Sequence, residues 1–599
     1  MSKHRLSRRD RRSGRPAPTP AQTATAEDAP FLAAEADAVQ EVTQTSEAVA
    51  EAERRTSTGL LSASVLMAAG TIVSRLSGFV RSALIFAAIG SSLNADIFTG
   101  ANTIPNALYI LLAGGIFNVV LVPQLVRAMK NDADGGEAYA QRIITLGLLV
   151  LGIATVVLVV FAPLLVRLVF DGMLFDPGNE GALASAYTLM RYCLPQIFFY
   201  GAFVLVGQIL NSRGRFGPMM WAPIANNVIS CAVLGTYLVV YGGSNGSDGF
   251  TSGQELMLGV GSTVGIAVQA LILLPYLKAA GFHYRPRFDF RGVGLGHTLK
   301  LGAWTLAFIL VNQVMFVVVT RIGSSAGLLA AANGDPDPAG TTVYSSAFLI
   351  TQVPHGVITV SLVTATMPLI SRLAAEADFV RMRAEIRNNI RLVLALIAPI
   401  AVAVFALSGP LGTVVASWGA MAGNTETVSA TIAAFAPAII FFSLHYMSLR
   451  GFYALEDTRT PFFLQIVLAA VNIGLAITLA SQVEPNAISA VLALSYGAAY
   501  LVGSLLAISM LSRRIGPVVD WSAVGFVVRL VTACVLAGAV ILGSAALLAG
   551  PLGLDGDGKL DALFALVLFG GLGAVTYLAA ASLLRIREVT SVVRTVLRR

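Results

Sequence analysis

The sequence predicts an all-α polytopic membrane protein, because apolar runs of membrane-spanning length recur along the chain and the loops between them alternate between arginine-rich and arginine-poor. Hydrophobic residues make up 56% of the 599 and charged residues only 12%, with a mean hydropathy of +0.76. A soluble chain of this length carries more charge. Lipid offers backbone groups no hydrogen-bond partner, so apolar runs of about 20 residues must span as helices or be buried among them.

About fourteen such runs are expected, near 60–90, 94–126, 141–170, 183–211, 217–241, 255–279, 298–322, 340–371, 389–409, 428–453, 461–482, 485–511, 523–549 and 560–584. Basic loops follow every second span, with Arg127, Lys130 and Arg142, then Arg213 and Arg215, then Lys278, Arg285, Arg287, Arg291 and Lys300. Arg372 to Arg391, Arg459, Arg513 with Arg514, and the tail from Arg585 to Arg599 continue the series. The opposite loops carry Asp171, Asp176, Glu180, Asp248, Asp335, Asp337, Glu426, Glu484, Asp555 and Asp557, with Lys559 their one well-placed cation. Basic loops stay in the cytoplasm, so both termini are expected there, in a multi-pass protein of a bacterial plasma membrane.

Residues 1–55 open with an arginine cluster from Arg5 to Arg15 and continue rich in Pro, Ala, Thr and Glu. Such a stretch cannot bury enough surface to fold and reads as a disordered cytoplasmic tail, with anionic lipid as a contact for its arginines. Cys193, Cys231 and Cys534 lie in apolar runs and form no CxxC pair, so neither a disulfide framework nor a metal site is expected. Lysine is scarce beside arginine, and Ala, Gly and Val abound, as in the products of GC-rich bacterial genomes.

Two stretches about 245 residues apart share a plan. Ile104-Pro105-Asn106 and Val122-Pro123 through Arg127 correspond to Val353-Pro354-His355 and Met367-Pro368 through Arg372. The junction Leu210 to Pro218 corresponds to that from Tyr453 to Pro461. This predicts two six-helix lobes related by internal duplication, 56–280 and 281–515, followed by two appended helices and a basic tail in 516–599. Prolines inside spans, at 105, 195, 354 and 437, leave carbonyls unpaired and provide bending points.

Charges inside spans are costly and mark a pathway or site by default. Arg75 and Arg81 both lie within the first run, separated by Gly78, and Asp96 begins the second. At 100° per residue the two arginines point about 120° apart, so a bend at Gly78 is needed to bring them to one cavity. Two guanidiniums against one carboxylate leave positive charge in excess, which an anionic ligand would neutralise; the bland alternative is an Arg–Asp pair that pins two helices. A phosphate-like anion suits the planar, permanently charged guanidinium fork. Ser74, Ser77, Asn102 and Asn106 are placed to add neutral hydrogen bonds. Asn312 and Gln313, Gln352 and His355, and His445 face either the same cavity or a neighbouring helix.

The run Ser74-Arg75-x-x-Gly78-Phe79-x-Arg81, followed by Asp96, Pro105-Asn106, Gly115-x-Phe117 and Val122-Pro123, closely resembles the opening of the MurJ (MviN) family. These are the lipid II flippases of the multidrug/oligosaccharidyl-lipid/polysaccharide exporter superfamily. The resemblance runs from about Leu60 to the C-terminus. It implies a V-shaped cavity between lobes, first-span arginines that engage a lipid-linked pyrophosphate, and alternating access that carries the headgroup outward in peptidoglycan synthesis. Arg75, Arg81, Asp96 and Asn106 fall on positions to which the family assigns function. The chain departs from the family pattern at Tyr109, where members have an arginine, and at Gly114, where they have an acid. It departs again at Phe348-Leu349 and Gln352, which replace an Asp-Arg and a Glu.

A flippase for lipid II is therefore the leading expectation, with Arg75, Arg81, Asp96, Asn106 and Ser74 at the substrate and Asn102, Asn312, Gln352 and His355 on the cavity wall. Membrane lipids and cell-wall synthesis proteins are the expected partners, and no nucleic acid. No GxxxxGK[ST] motif occurs, so neither nucleotide nor another cofactor is expected, and the drive is assigned to the membrane potential, a monovalent cation gradient or product consumption. An exporter of another polyprenyl-linked saccharide or of drugs would share this fold. A membrane glycosyltransferase would need a catalytic carboxylate on a sizeable outer loop, and the acid pairs at 335/337 and 555/557 sit in short ones.

Overall fold

The computed structural model describes residues 70, 73, 74, 76–78, 80–111, 134, 136–213, 215, 217–243, 246–290, 295–333, 339–416, 425–554 and 558–591. The tail at 1–55, Arg75 and the second half of the second span, with Gly114 to Pro123, lie outside them. Among the described residues all regular structure is helical. Twelve helices are long and apolar enough to cross a membrane, and they correspond one for one to the third through fourteenth expected spans.

The described helices begin with α1 (Leu76–Ile89), α2 (Leu93–Ala101) and α3 (Thr103–Ile110). Pro105 sits in the first turn of α3, where its missing N–H breaks no bond. There follow α4 (Glu137–Val160), the short α5 (Ala162–Val169), α6 (Glu180–Ser212), α7 (Gly217–Tyr241) and α8 (Ser252–Ala279). The second half holds α9 (Leu295–Asn333), α10 (Thr341–Ala375), α11 (Phe379–Ala406), α12 (Ser408–Ala416), α13 (Thr425–Ala454), α14 (Arg459–Ala480) and α15 (Ile488–Ile515). The last two are α16 (Trp521–Leu552) and α17 (Lys559–Leu583).

The prolines behave in three ways. Pro195 interrupts α6 between Cys193 and Gln196. Pro354 is followed by one wide turn over His355–Thr359 before α10 resumes, the local answer to a missing donor. Pro437 is carried inside the uninterrupted α13.

Helices α2, α5 and α6 share one apolar core, and α4, α6 and α8 a second. Helices α9, α10, α13, α14 and α15 share a third, and α10, α11 and α13 a fourth. Helices α16 and α17 pair with each other and lean on α11, where the Tyr577 hydroxyl donates to the Ala395 carbonyl at 2.5 Å. Helix α9 belongs to both halves: it packs on α14 and also on α2 and α5.

On the arginine-rich loops, acids take up part of the positive charge. Asp289 receives Arg142 at 2.7 Å and Arg287 at 3.2 Å, and Arg514 reaches Asp457 at 2.6 Å. Asp520 is held by Arg387 and, at 3.2 Å, by Arg391. Hydrogen bonds from Arg142 hold the Asp289 carboxyl below the usual carboxylate range. The loop that carries Asp289 is further tied to α4, where Gln141 donates to the His283 carbonyl and the Arg287 amide donates to Thr145.

Candidate functional site

A cavity of about 640 Å³ lies between the two halves, lined from α1, α2, α3, α6, α7 and α8 on one side and α9, α10, α13, α14 and α15 on the other. Arg81 is the one charged side chain among its described lining residues. The Nε of Arg81 is buried and has no hydrogen-bond partner among the described residues. The surrounding polar groups on that wall are engaged with one another. Gln196 donates to the Asn102 side-chain oxygen at 3.0 Å, Asn102 donates to the Phe98 carbonyl at 2.9 Å, and the Tyr200 hydroxyl donates to Asn106 at 3.2 Å. Tyr109, where the family pattern has an arginine, stacks on Tyr200 with ring centroids 4.5 Å apart.

Asp96 does not pair with Arg81. It is fully buried in α2 and accepts from the amide and hydroxyl of Thr342, at 2.8 and 2.9 Å, in the first turn of α10. A carboxylate there satisfies orphan amides and faces the positive end of the helix dipole. The approach requires glycine: a Cβ on Gly340 would collide with the Asp96 carboxylate, and one on Gly327 of α9 would lie 3.1 Å from the Leu93 Cα. Thr99 and Thr342 join their hydroxyls at 2.9 Å beside it, and the Asp171 amide donates to Ser324 of α9 at 2.9 Å. These contacts tie α2 and the segment after α5 to α9 and α10, beside Thr99 and Thr342 of the cavity lining. Asp96 is thus a clamp between halves, where the sequence suggested a counter-charge.

The other expected site residues divide. Asn102, Asn106, Asn312 and Gln352 line the cavity. Ser74 does not; its carbonyl accepts from Ser77 and from Asn227 of α7, fixing α1 to that helix. His355 is buried beside the cavity, bonded through Nδ1 to Ser443 at 3.0 Å and packed on Phe442 and Tyr446. It joins α10 to α13. His445 is likewise buried and lies outside the cavity lining. Sequence reasoning missed Gln196, Tyr200, Asn472, Tyr496 and Tyr500 as lining residues. Asn472, an amide within an apolar span, carried a signal of its own.

In the second wall, Tyr344, Phe348, Phe442, Tyr496 and Tyr500 form a continuous aromatic surface. Phe348 meets Tyr496 edge-on at 5.5 Å, and Tyr496 lies 4.5 Å from Tyr500. Of the positions 348, 349 and 352, where the family pattern has acids and an arginine, Phe348 joins this surface, and Leu349 and Gln352 line the cavity beside it.

Residues 85–554 match the family model described as "Lipid II flippase MurJ". The "Probable lipid II flippase MurJ" of Haemophilus influenzae is 28% identical over 419 residues, 67% of this chain and 78% of that protein. The solved structure "Lipid II flippase MurJ, inward closed conformation" aligns at a TM-score of 0.63 and 19% identity, over 87% of this chain and 98% of its own. An inward-facing multidrug-resistance MATE transporter of the MOP superfamily aligns at 0.52 and 14% identity, over 75% and 94%. At these identities the two solved structures speak for the fold.

Proposed function

The chain belongs to the lipid II flippase MurJ family, and from that premise we propose that it carries lipid II across the plasma membrane, with Arg81 and Arg75 gripping the pyrophosphate. It is a multi-pass membrane transporter and not an enzyme. The observation that carries the site assignment is Arg81: a guanidinium on a cavity wall, within an apolar span, with no ion pair or hydrogen bond among the described residues. A charge within an apolar span needs a counter-ion, and the neighbouring Asn102 and Gln196 amides are bonded to each other. A pyrophosphate supplies oxygens in the geometry that the guanidinium fork takes two at a time.

We read the two packed sets of helices as lobes at 56–280 and 281–515, with α16 and α17 appended, and the arginine-rich loops as cytoplasmic. On that orientation the Asp96–Thr342 clamp closes the outer end, and the headgroup enters from the cytoplasmic leaflet. Transport then parts this clamp while the opposite ends of the lobes approach, an exchange of one set of interlobe contacts for another. Drive comes from the membrane potential, a cation gradient or product removal, since the chain has no nucleotide motif.

The test is binding of lipid II and of undecaprenyl phosphate to the purified protein in lipid nanodiscs, with Arg81→Ala beside the wild type. Preference for the pyrophosphate lipid, lost in the variant, is expected. Equal binding of both lipids by both proteins would remove the pyrophosphate assignment.

A further inference from the structure

We propose that the second wall of the cavity is a subsite for an uncharged, hydroxyl-rich saccharide ring, held by Asn472 and Gln313 against the aromatic surface of Phe348 and Tyr496. The proposal rests on the reading of the cavity as a site for a lipid-linked saccharide and assigns its polar half. Asn472 has no exposed surface, yet neither its Nδ2 nor its Oδ1 has a hydrogen-bond partner among the described residues. Gln313 is 8% exposed and its Nε2 is likewise unpartnered. Both line the cavity, from α14 and α9. A buried amide left unsatisfied costs about 1–3 kcal/mol, so native proteins rarely keep one without a use for it.

The chemistry of the wall selects among ligands. It presents no charged side chain among the described lining residues, so the carboxylates or amine of a peptide would find no partner there. An amide both donates and accepts, as a sugar hydroxyl does. Aromatic faces offer flat apolar area to the C–H face of a pyranose, and a mostly apolar pocket with a few placed polar groups is the usual form of a small-molecule site. The opposite wall, with Arg81, takes the charge. One ligand with an anionic linkage and a neutral ring fits both walls at once.

The experiment measures binding of lipid II and of undecaprenyl pyrophosphate, which lacks the saccharide, to the full-length protein in nanodiscs. The variants are Asn472→Leu and Gln313→Leu, with melting temperature recorded for each. Both are expected to weaken lipid II binding by about tenfold or more while changing undecaprenyl pyrophosphate binding less than about twofold. Their melting temperatures should hold or rise, because an unsatisfied amide has been replaced by an apolar group of similar size. Equal weakening of both lipids, or a fall in melting temperature, assigns these amides to helix packing and overturns the subsite. Unchanged lipid II binding overturns it too, while leaving the role of Arg81 standing. If the wild type binds neither lipid, the flippase reading itself fails and takes the subsite with it.

Discussion

Among the described residues, the first wall of the cavity bonds Gln196 to Asn102 and Tyr200 to Asn106 and leaves the Arg81 Nε without a partner, whereas the second carries no charge and leaves the Asn472 amide and the Gln313 Nε2 without partners. Each wall is therefore incomplete in a different chemical sense. In a membrane interior an unmet charge costs far more than an unmet amide, so the first wall should dominate affinity and the second should discriminate among ligands of similar charge. Variants at Arg81 are the strongest test of this contrast. Arg81→Ala should abolish flipping in reconstituted vesicles and fail to support growth as the sole flippase. Arg81→Lys keeps the charge but not the planar fork and should lose about tenfold or more in rate. Arg75, outside the described residues, should follow the same pattern if it faces the same anion. Normal growth with either alanine variant, inserted at wild-type levels, would return both arginines to helix pinning.

The outer end contrasts with both walls, because its bonds cross the interface: Asp96 Oδ1 accepts from both the amide and the hydroxyl of Thr342. Removing the Asp96 side chain leaves the Thr342 amide and hydroxyl without their acceptor in a buried place, at about 1–3 kcal/mol. Asp96→Ala, and Gly340→Ala by steric collision with Asp96, should therefore favour the state in which this end is open while leaving membrane insertion intact. A disulfide formed between Thr99→Cys and Thr342→Cys, whose native hydroxyls meet at 2.9 Å, reports the closed end. Its yield should fall in the Asp96→Ala background. Unchanged yield would mean that the clamp does not set the balance between states.

Much of this was legible in the sequence. Spans three to fourteen follow from apolar length alone, because lipid permits only helices there. Arg81, Asn102 and Asn106 were found because polar groups in apolar runs are conspicuous. The partner of Asp96 was not legible: Thr342 lies 246 residues away, and charge pairing suggested the nearer arginines. His355 looked like a lining residue by its position at the start of the wide turn of α10, yet its ring bonds to Ser443 and lies outside the cavity lining. The aromatic wall escaped notice because Phe and Tyr in a span are ordinary core residues until three helices bring them together.

His355 separates lining from packing within the second half. If it only joins α10 to α13, His355→Leu should lower the melting temperature by removing its bond to Ser443, a loss of about 1 kcal/mol. Lipid II binding should be unaffected. A selective loss of binding would extend the second wall to include it.

The smallest effect is expected at the arginine-rich surface, where half-buried ion pairs contrast with the Arg81 Nε, which has no partner among the described residues. The Asp520 carboxyl is held below the usual carboxylate range by the Ser522 hydroxyl and then by Arg387 and Arg391. A depressed value means that the native state favours the ionised form. The contribution is present above the unfolded carboxyl's value of about 3.9 and is lost as the pH falls through the lower native value. Asp520→Asn should therefore melt slightly below the wild type near pH 7, with the gap closing as the pH falls below the unfolded carboxyl's value and through the lower native one. Salt at about 1 M should narrow the same gap at neutral pH, because pairs within reach of water are screened. A gap that survives both acid and salt would show that hydrogen-bond geometry, and not charge, ties α11 to the start of α16.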